Sequence, residues 1–120
     1  MGIQLSQCGP DLVIGTMLVR PEYANRNGVL HGGAIMAFAD ALGGVASSLN
    51  LEEGASTTTI ESKTNFLRAA AIGEQITGRC EPIHRGRKTM VWQTTVLRAD
   101  GKVVSMTMQT QLTLQWSSPG

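Results

Sequence analysis

From Gly28 to Leu51 a single side chain is charged at neutral pH: Asp40, within the run Val29-Leu30-His31-Gly32-Gly33-Ala34-Ile35-Met36-Ala37-Phe38-Ala39-Asp40-Ala41-Leu42-Gly43-Gly44-Val45-Ala46. A carboxylate carried by a helix into an apolar interior loses hydration worth roughly several kcal/mol unless it is paired or lines a cavity. Asp40 is therefore expected to do chemistry, the bland alternative being a structural pair with an internal Arg or Lys. Gly32 and Gly33 open the same helix. Bare N–H groups at a helix N-terminus form a preorganised site for negative charge, and glycine lets a carbonyl approach closely. The same two glycines would equally suit a tight turn into the helix. Asn25 offers an amide that both donates and accepts, or an ordinary turn residue. His84, Arg85, Arg87 and Lys88 form the one dense basic cluster, suited to phosphate contact or to a solvated hairpin. Asp40 lies about two turns, or about 10 Å, beyond Gly33 on roughly the same helix face, too far for both to act on one carbonyl within one chain.

The composition bounds what these residues serve. A chain of 120 residues, 42% hydrophobic and 16% charged, is long enough for one ordinary core, and a single domain over residues 1–120 is expected. The net charge of +1 gives no electrostatic footprint for nucleic acid. Met1 to Cys8 lacks the basic start and apolar run of a secretory signal, so a cytoplasmic protein is expected. The apolar stretch around Asp40 holds an Asp and several Gly, which argues against a membrane span. Cys8 and Cys80 are spaced neither as a metal clip nor as a disulfide scaffold, and with His31 and His84 the only histidines, no metal site is expected.

The elements that must position these residues follow from the periodicity. Leu12 to Val19 suits a strand ended by Arg20-Pro21-Glu22, and Tyr23 to Gly28 reads as a loop. Gly32 or Gly33 to about Leu49 is apolar on nearly every face, which predicts a helix buried all round. After Asn50 to Gly54 the period becomes two, with Ile60, Ser62, Thr64 and Phe66 on one face and Thr59, Glu61, Lys63 and Asn65 on the other. Further strands are predicted from Gly73 to His84 and from Thr89 to Arg98, with a type I′ turn at Ala99-Asp100-Gly101-Lys102. In the last strand Val104, Met106, Met108, Leu112, Leu114 and Trp116 alternate with Ser105, Thr107, Gln109, Gln111, Thr113 and Gln115; residues 117–120 form a frayed tail. One strand, one helix and four long strands imply an α+β architecture in which a twisted antiparallel sheet wraps the helix, its open edges covered by dimerisation.

The segment Asn25-Arg26-Asn27-Gly28-Val29-Leu30-His31-Gly32-Gly33, followed by Asp40, resembles the signature of hotdog-fold acyl-CoA thioesterases, the phenylacetate-pathway type of the 4-hydroxybenzoyl-CoA thioesterase superfamily. The resemblance runs from about Leu12 to Trp116. Thr59 to Arg68 resembles that family's strand after the helix, and Pro82 to Lys88 its turn before the fourth strand. It implies a hotdog fold and hydrolysis of an aryl- or medium-chain acyl-CoA to the free acid and coenzyme A. No metal or organic cofactor is implied, coenzyme A entering as part of the substrate.

By the same resemblance the Gly32 N–H polarises the carbonyl, a kind of donor typically worth about 10²–10³ in rate. Asp40 is the nucleophile that forms a mixed anhydride, or the general base that activates water. Asn25 orients water or the carbonyl, His31 contacts the thioester region or merely orders the helix start, and Thr58 or Thr59 supplies a hydroxyl. Gly44 stands where relatives can carry another hydroxyl, which throws more weight on Thr59. His84, Arg85, Arg87 and Lys88 are matched to coenzyme A; His84 has a counterpart in enterobactin-associated relatives, which carry Glu at the place of Asp40. Met36, Phe38, Leu42 and Leu49 would line an acyl pocket or simply fill the core. Each site takes Asp40 from one subunit and Gly32 and Asn25 from another, in a homodimer or a dimer of dimers (a homotetramer). The alternatives are a non-catalytic acyl-CoA sensor, which would be expected to lack the acid or add a DNA-binding segment, and a hotdog hydratase or dehydratase, whose His spacing neither histidine matches.

Overall fold

The structure, a computed structural model, describes residues 1–115; Trp116 and the tail 117–120 lie outside them. The order is β1 (Gln4–Gly9), β2 (Leu12–Leu18), a 3-10 turn (Pro21–Tyr23), α1 (Gly32–Ser48), β3 (Ala55–Phe66), β4 (Gln75–Arg85), β5 (Thr89–Leu97) and β6 (Val103–Gln115). The strands form one antiparallel sheet in the order β1-β2-β4-β5-β6-β3, and α1 packs against it. Helix and sheet are the expected ones, with one strand added. β1 has no apolar stripe and is largely exposed, so its place depends on pairing with β2 rather than on burial.

The core lies between α1 and β2, β4 and β5. Phe38 and Leu42 meet Val13, Met17, Ile76, Cys80, Trp92 and Val96. Leu42 enters hollows over Gly15 and Gly78: a Cβ at either glycine would lie 2.7 Å or 2.5 Å from a Leu42 methyl group. Phe38 and Leu42 are thus core residues, while Met36 and Leu49 are exposed.

Three expectations are corrected, and one strand face is identified. The helix is not buried all round: Gly33, Met36, Ala37, Asp40, Ala41 and Ser48 are exposed, so Asp40 is not in an apolar interior. Small side chains made this open stripe look like core.

The single-phase alternation of β3 breaks at a bulge, where Thr59 pairs with Gln111 and Glu61 with Thr110. Ile60, the extra residue, points out at 56% exposure. Thr57 and Thr59 before it, and Ser62 and Thr64 after it, all face the helix side, because a bulge shifts the side-chain phase by one.

In β6 Val104 and Ser105 are both buried, and from Ser105 to Gln111 the alternation holds with the polar set facing in. Ser105, Thr107, Gln109 and Gln111 are buried, while Met106 and Met108 are 38% and 45% exposed.

The β5–β6 turn is not type I′. Of its residues Gly101 alone has positive φ, 83°, and its N–H donates to the Arg98 carbonyl at 2.9 Å. The Arg98 N–H donates to the Lys102 carbonyl at 2.9 Å, the pattern of a type I turn closed by a glycine bulge. Asp100 keeps the negative φ of the third position of a type I turn, and its carboxylate makes a two-pronged pair with Arg98 and accepts from the Lys102 N–H.

Candidate active site

α1 carries Asp40 midway along its length, facing β3 and β6. Its Oδ1 accepts two hydrogen bonds, from the Thr59 hydroxyl at 2.7 Å and from Gln109 Nε2 at 3.2 Å. Oδ2 has no partner among the described residues, and Asp40 as a whole is exposed. Thr59 is itself held: Gln111 Nε2 donates to its oxygen at 2.5 Å, and Gln111 Oε1 accepts from the Thr57 hydroxyl at 2.9 Å. With its oxygen accepting from Gln111, the one Thr59 proton is directed to Asp40. Thr58 points the opposite way and is exposed. No Lys or Arg pairs with Asp40 among the described residues. Its partners are neutral donors, which hold a carboxylate in place without neutralising it.

At the start of α1, His31 is the N-cap, its Nδ1 accepting from the Gly33 N–H at 3.3 Å. That places the proton of a neutral ring on Nε2. Gly32, the first helical residue, has a backbone N–H with no acceptor among the described residues. A Cβ at Gly32 would sit 3.3 Å from the Phe66 ring, so glycine also serves packing there. Asn25 closes the preceding loop: Oδ1 accepts from the N–H groups of Asn27 at 2.9 Å and Val29 at 3.4 Å. Both loop functions of Asn25 fall on its oxygen, which leaves Nδ2 as an outward donor. Gly44 faces open space.

The basic residues lie at the β4–β5 hairpin, two strands from Asp40. Thr59, Gln111 and Met90 form one cross-strand row, and the Thr113 N–H donates to the Lys88 carbonyl at 2.8 Å. With strands spaced ~4.8 Å apart and ~3.4 Å per residue, the Lys88 backbone is about 12 Å from that of Thr59. Arg85 is engaged within the fold. Its Nη1 donates to Asp11 at 2.7 Å, to the Pro10 carbonyl at 3.2 Å and to Asn50 at 3.4 Å, pinning the β1–β2 turn to the end of α1. Arg87 and Lys88 have no such ion pair among the described residues. Arg85 and Arg87 border a cavity of about 310 Å³ with Asn50, Met90 and Thr113. His84 is exposed on the same hairpin.

Four participants lay outside the sequence reading: Thr57, Gln109, Gln111 and Gly43, the last packed under the Gln109 amide. The polar set of β6 was visible in the sequence, but period two does not say which face is buried. Cys80 is not a rival nucleophile: burial pushes its thiol up to about 11, the nearby Glu81 charge adding and a Thr94 contact opposing. No group of three or more possible metal ligands occurs among the described residues.

A sheet wrapped on one helix, with an acid in mid-helix and a free N–H at its start, is the arrangement expected of a hotdog fold. The thioesterase superfamily model matches residues 27–105, and the chain belongs to that superfamily. It is 33% identical to a thioesterase of Haemophilus influenzae whose crystal structure superposes with a TM-score of 0.91, covering 98% of this chain and 82% of that one. It is 33% identical to the proofreading thioesterase EntH of Cronobacter turicensis, over 85% of this chain and 74% of that protein. It is 31% identical to the 1,4-dihydroxy-2-naphthoyl-CoA hydrolase of Escherichia coli, over 86% and 75% respectively. The fold is hotdog and the enzyme a thioester hydrolase. No helix among the described residues is long and apolar enough to cross a membrane.

Proposed function

We propose that the protein hydrolyses an aryl- or medium-chain acyl-CoA to the free acid and coenzyme A, with Asp40 as the reacting acid. The observation that carries this is the asymmetry of its carboxylate, with Oδ1 taken by Thr59 and Gln109 and Oδ2 bare on an accessible helix face. The E. coli relative, by its name a hydrolase of an aromatic acyl-CoA, supports the aryl class.

Two routes use the same atoms. In one, Oδ2 attacks the thioester carbon, the C–S bond breaks, the thiolate leaves and is protonated, and water hydrolyses the mixed anhydride. In the other, Oδ2 takes a proton from water as the oxygen of that water attacks, and the thiolate leaves. In both, the oxyanion that forms on the carbonyl oxygen needs a donor, the role assigned to the Gly32 N–H, with Asn25 Nδ2 assigned to orient the carbonyl or water. His31 orders that helix start through its cap, with its Nε2–H available to the thioester region. Arg87 and Lys88, with His84, are assigned to the phosphates of coenzyme A, Arg85 contributing from its pinned position.

Eight residues of helix separate Gly32 from Asp40, about 12 Å of rise, so one chain cannot bring both to one carbonyl. The proposal therefore includes a homodimer or dimer of dimers with shared sites. It is supported by the open stripe of α1, by the unpaired side of edge strand β3, and by the exposed Ile60, Phe66, Met106 and Met108. Mixing Asp40→Asn subunits with Gly32→Val subunits, each inactive alone, should restore about a quarter of the sites through heterodimers with one intact site. No recovery after subunit exchange would contradict sharing.

The first test of activity is thiol release from phenylacetyl-, benzoyl-, short-chain and medium-chain acyl-CoAs. Turnover strongest on aryl or medium-chain substrates is expected. Tight binding without release would favour a non-catalytic acyl-CoA sensor, and addition of water across an enoyl-CoA double bond would favour a hydratase.

A further inference from the structure

Resting on the reading of Asp40 as the reacting acid, we propose that Gln109, seated over Gly43, is a positioning residue that ties down Oδ1 so that Oδ2 alone meets the substrate. Gln109 is 1% exposed, yet one end of its amide has no partner: Nε2 donates to Asp40 and the buried Oε1 accepts nothing. A buried carbonyl oxygen without a donor is destabilising, and an apolar side chain of this size would avoid it. The helix makes a second concession at the same place. A Cβ on residue 43 would collide with all three polar-end atoms of the amide, so glycine in the helix interior makes the room. Gly43 has no positive φ to explain it. What the pair secures is one hydrogen bond, directed at the acid.

Gln111, two residues along the same face of β6, acts on the same oxygen one step removed. It accepts from Thr57 and donates to Thr59, whose only proton goes to Oδ1. Two buried glutamines thus fill both lone-pair directions of Oδ1, one directly and one through Thr59. Two hydrogen bonds to one oxygen restrain rotation about the Cβ–Cγ bond, which leaves the other oxygen unpartnered for the substrate. This is preorganisation supplied by the sheet.

The test is thiol release by Gln109→Met, Gln109→Glu, Asp40→Asn and the double variant Asp40→Asn/Gln109→Met, with Tm measured on each. Gln109→Met fills the space without the donor and should lower kcat roughly tenfold, the scale of one hydrogen bond to a charged group, with KM within about twofold. Its Tm should be equal or higher, since the unpartnered oxygen is gone. Gln109→Glu keeps the shape but sets a second carboxyl group against Asp40, so that the two compete for one proton, and it should lose at least as much turnover as Gln109→Met. In the Asp40→Asn background, Gln109→Met should cause no further loss, because it acts only through Asp40. Losses that multiply in the double variant, or a Gln109→Glu enzyme as active as wild type, would overturn the positioning role. So would a fall in Tm accompanying the loss of kcat. An Asp40→Asn enzyme that keeps its turnover would instead overturn the Asp40 reading, so the two failures are distinguishable.

Discussion

The two flanks of α1 meet the sheet in opposite ways. Toward β2, β4 and β5 the contact is carbon on carbon, with Phe38 and Leu42 set among Val13, Met17, Ile76 and Trp92 and over two glycines. Toward β3 and β6 it is polar: Asp40, Gly43 and Ser47 face Thr57, Thr59, Ser62, Thr64, Ser105, Thr107, Gln109 and Gln111. The first flank has shape complementarity and few polar atoms, Trp92 Nε1 among them buried without a hydrogen-bond partner. The second has hydrogen bonds that converge on one carboxylate oxygen, at the expense of unpartnered oxygens on Ser47, Ser62, Ser105 and Gln109. Stability is therefore concentrated on one flank and chemistry on the other, and substitutions on the two should change different observables.

Leu42→Ala empties the hollows over Gly15 and Gly78 and should destabilise by about 2–5 kcal/mol in chemical denaturation, while the molecules still folded keep their kcat. A Leu42→Ala protein with normal stability and lost turnover would invert the assignment of the flanks. Thr59→Val, near in shape, removes the shorter bond to Asp40. It should reduce kcat by roughly tenfold, or about 1.4 kcal/mol in activation free energy, and lower stability by about 1–3 kcal/mol because the buried Gln111 Nε2 loses its acceptor. Ser47→Ala removes an unpartnered buried hydroxyl and improves helix propensity, so a gain of about 0.5–1 kcal/mol is expected at unchanged turnover. A loss would mean that the hydroxyl has a partner in the working enzyme.

The smallest effect lies away from both flanks, at the β5–β6 turn. The Arg98 guanidinium and the Lys102 N–H hold the Asp100 carboxyl down to about 2. A depressed carboxylate contributes stability that is fully present above the unfolded value near 4 and is lost as pH falls through about 2. Amide exchange at Gly101 and Lys102 should therefore rise between about pH 4 and 2, when compared with Asp100→Asn, which should show no such step.

What was legible in the sequence divides along the same line. The helix, the order of the later strands, and Asp40 with the loop before it could be read because apolar runs and isolated charge are local signals. The polar flank was harder. The inward face of β6 is the polar one, and period two identifies a strand without saying which face is buried. The bulge at Ile60 depends on pairing with β6, and without it Thr59 would face away from Asp40. β1 lacks an apolar stripe and exists through its hydrogen bonds to β2. The openness of α1 was hidden because Ala and Gly are as frequent on a stripe left open as in a packed core. Gln109 and Gly43 acquire meaning only as a pair, 66 residues apart in sequence.

The most direct measurement of the central claim is kcat for thiol release by wild type and Asp40→Asn on the best acyl-CoA, with Tm and substrate binding followed alongside. The exchange is isosteric and both Oδ1 bonds can be kept by an amide oxygen, so fold and binding should hold while kcat falls by roughly 10² or more. A folded Asp40→Asn protein that turns over at close to the wild-type rate would contradict it.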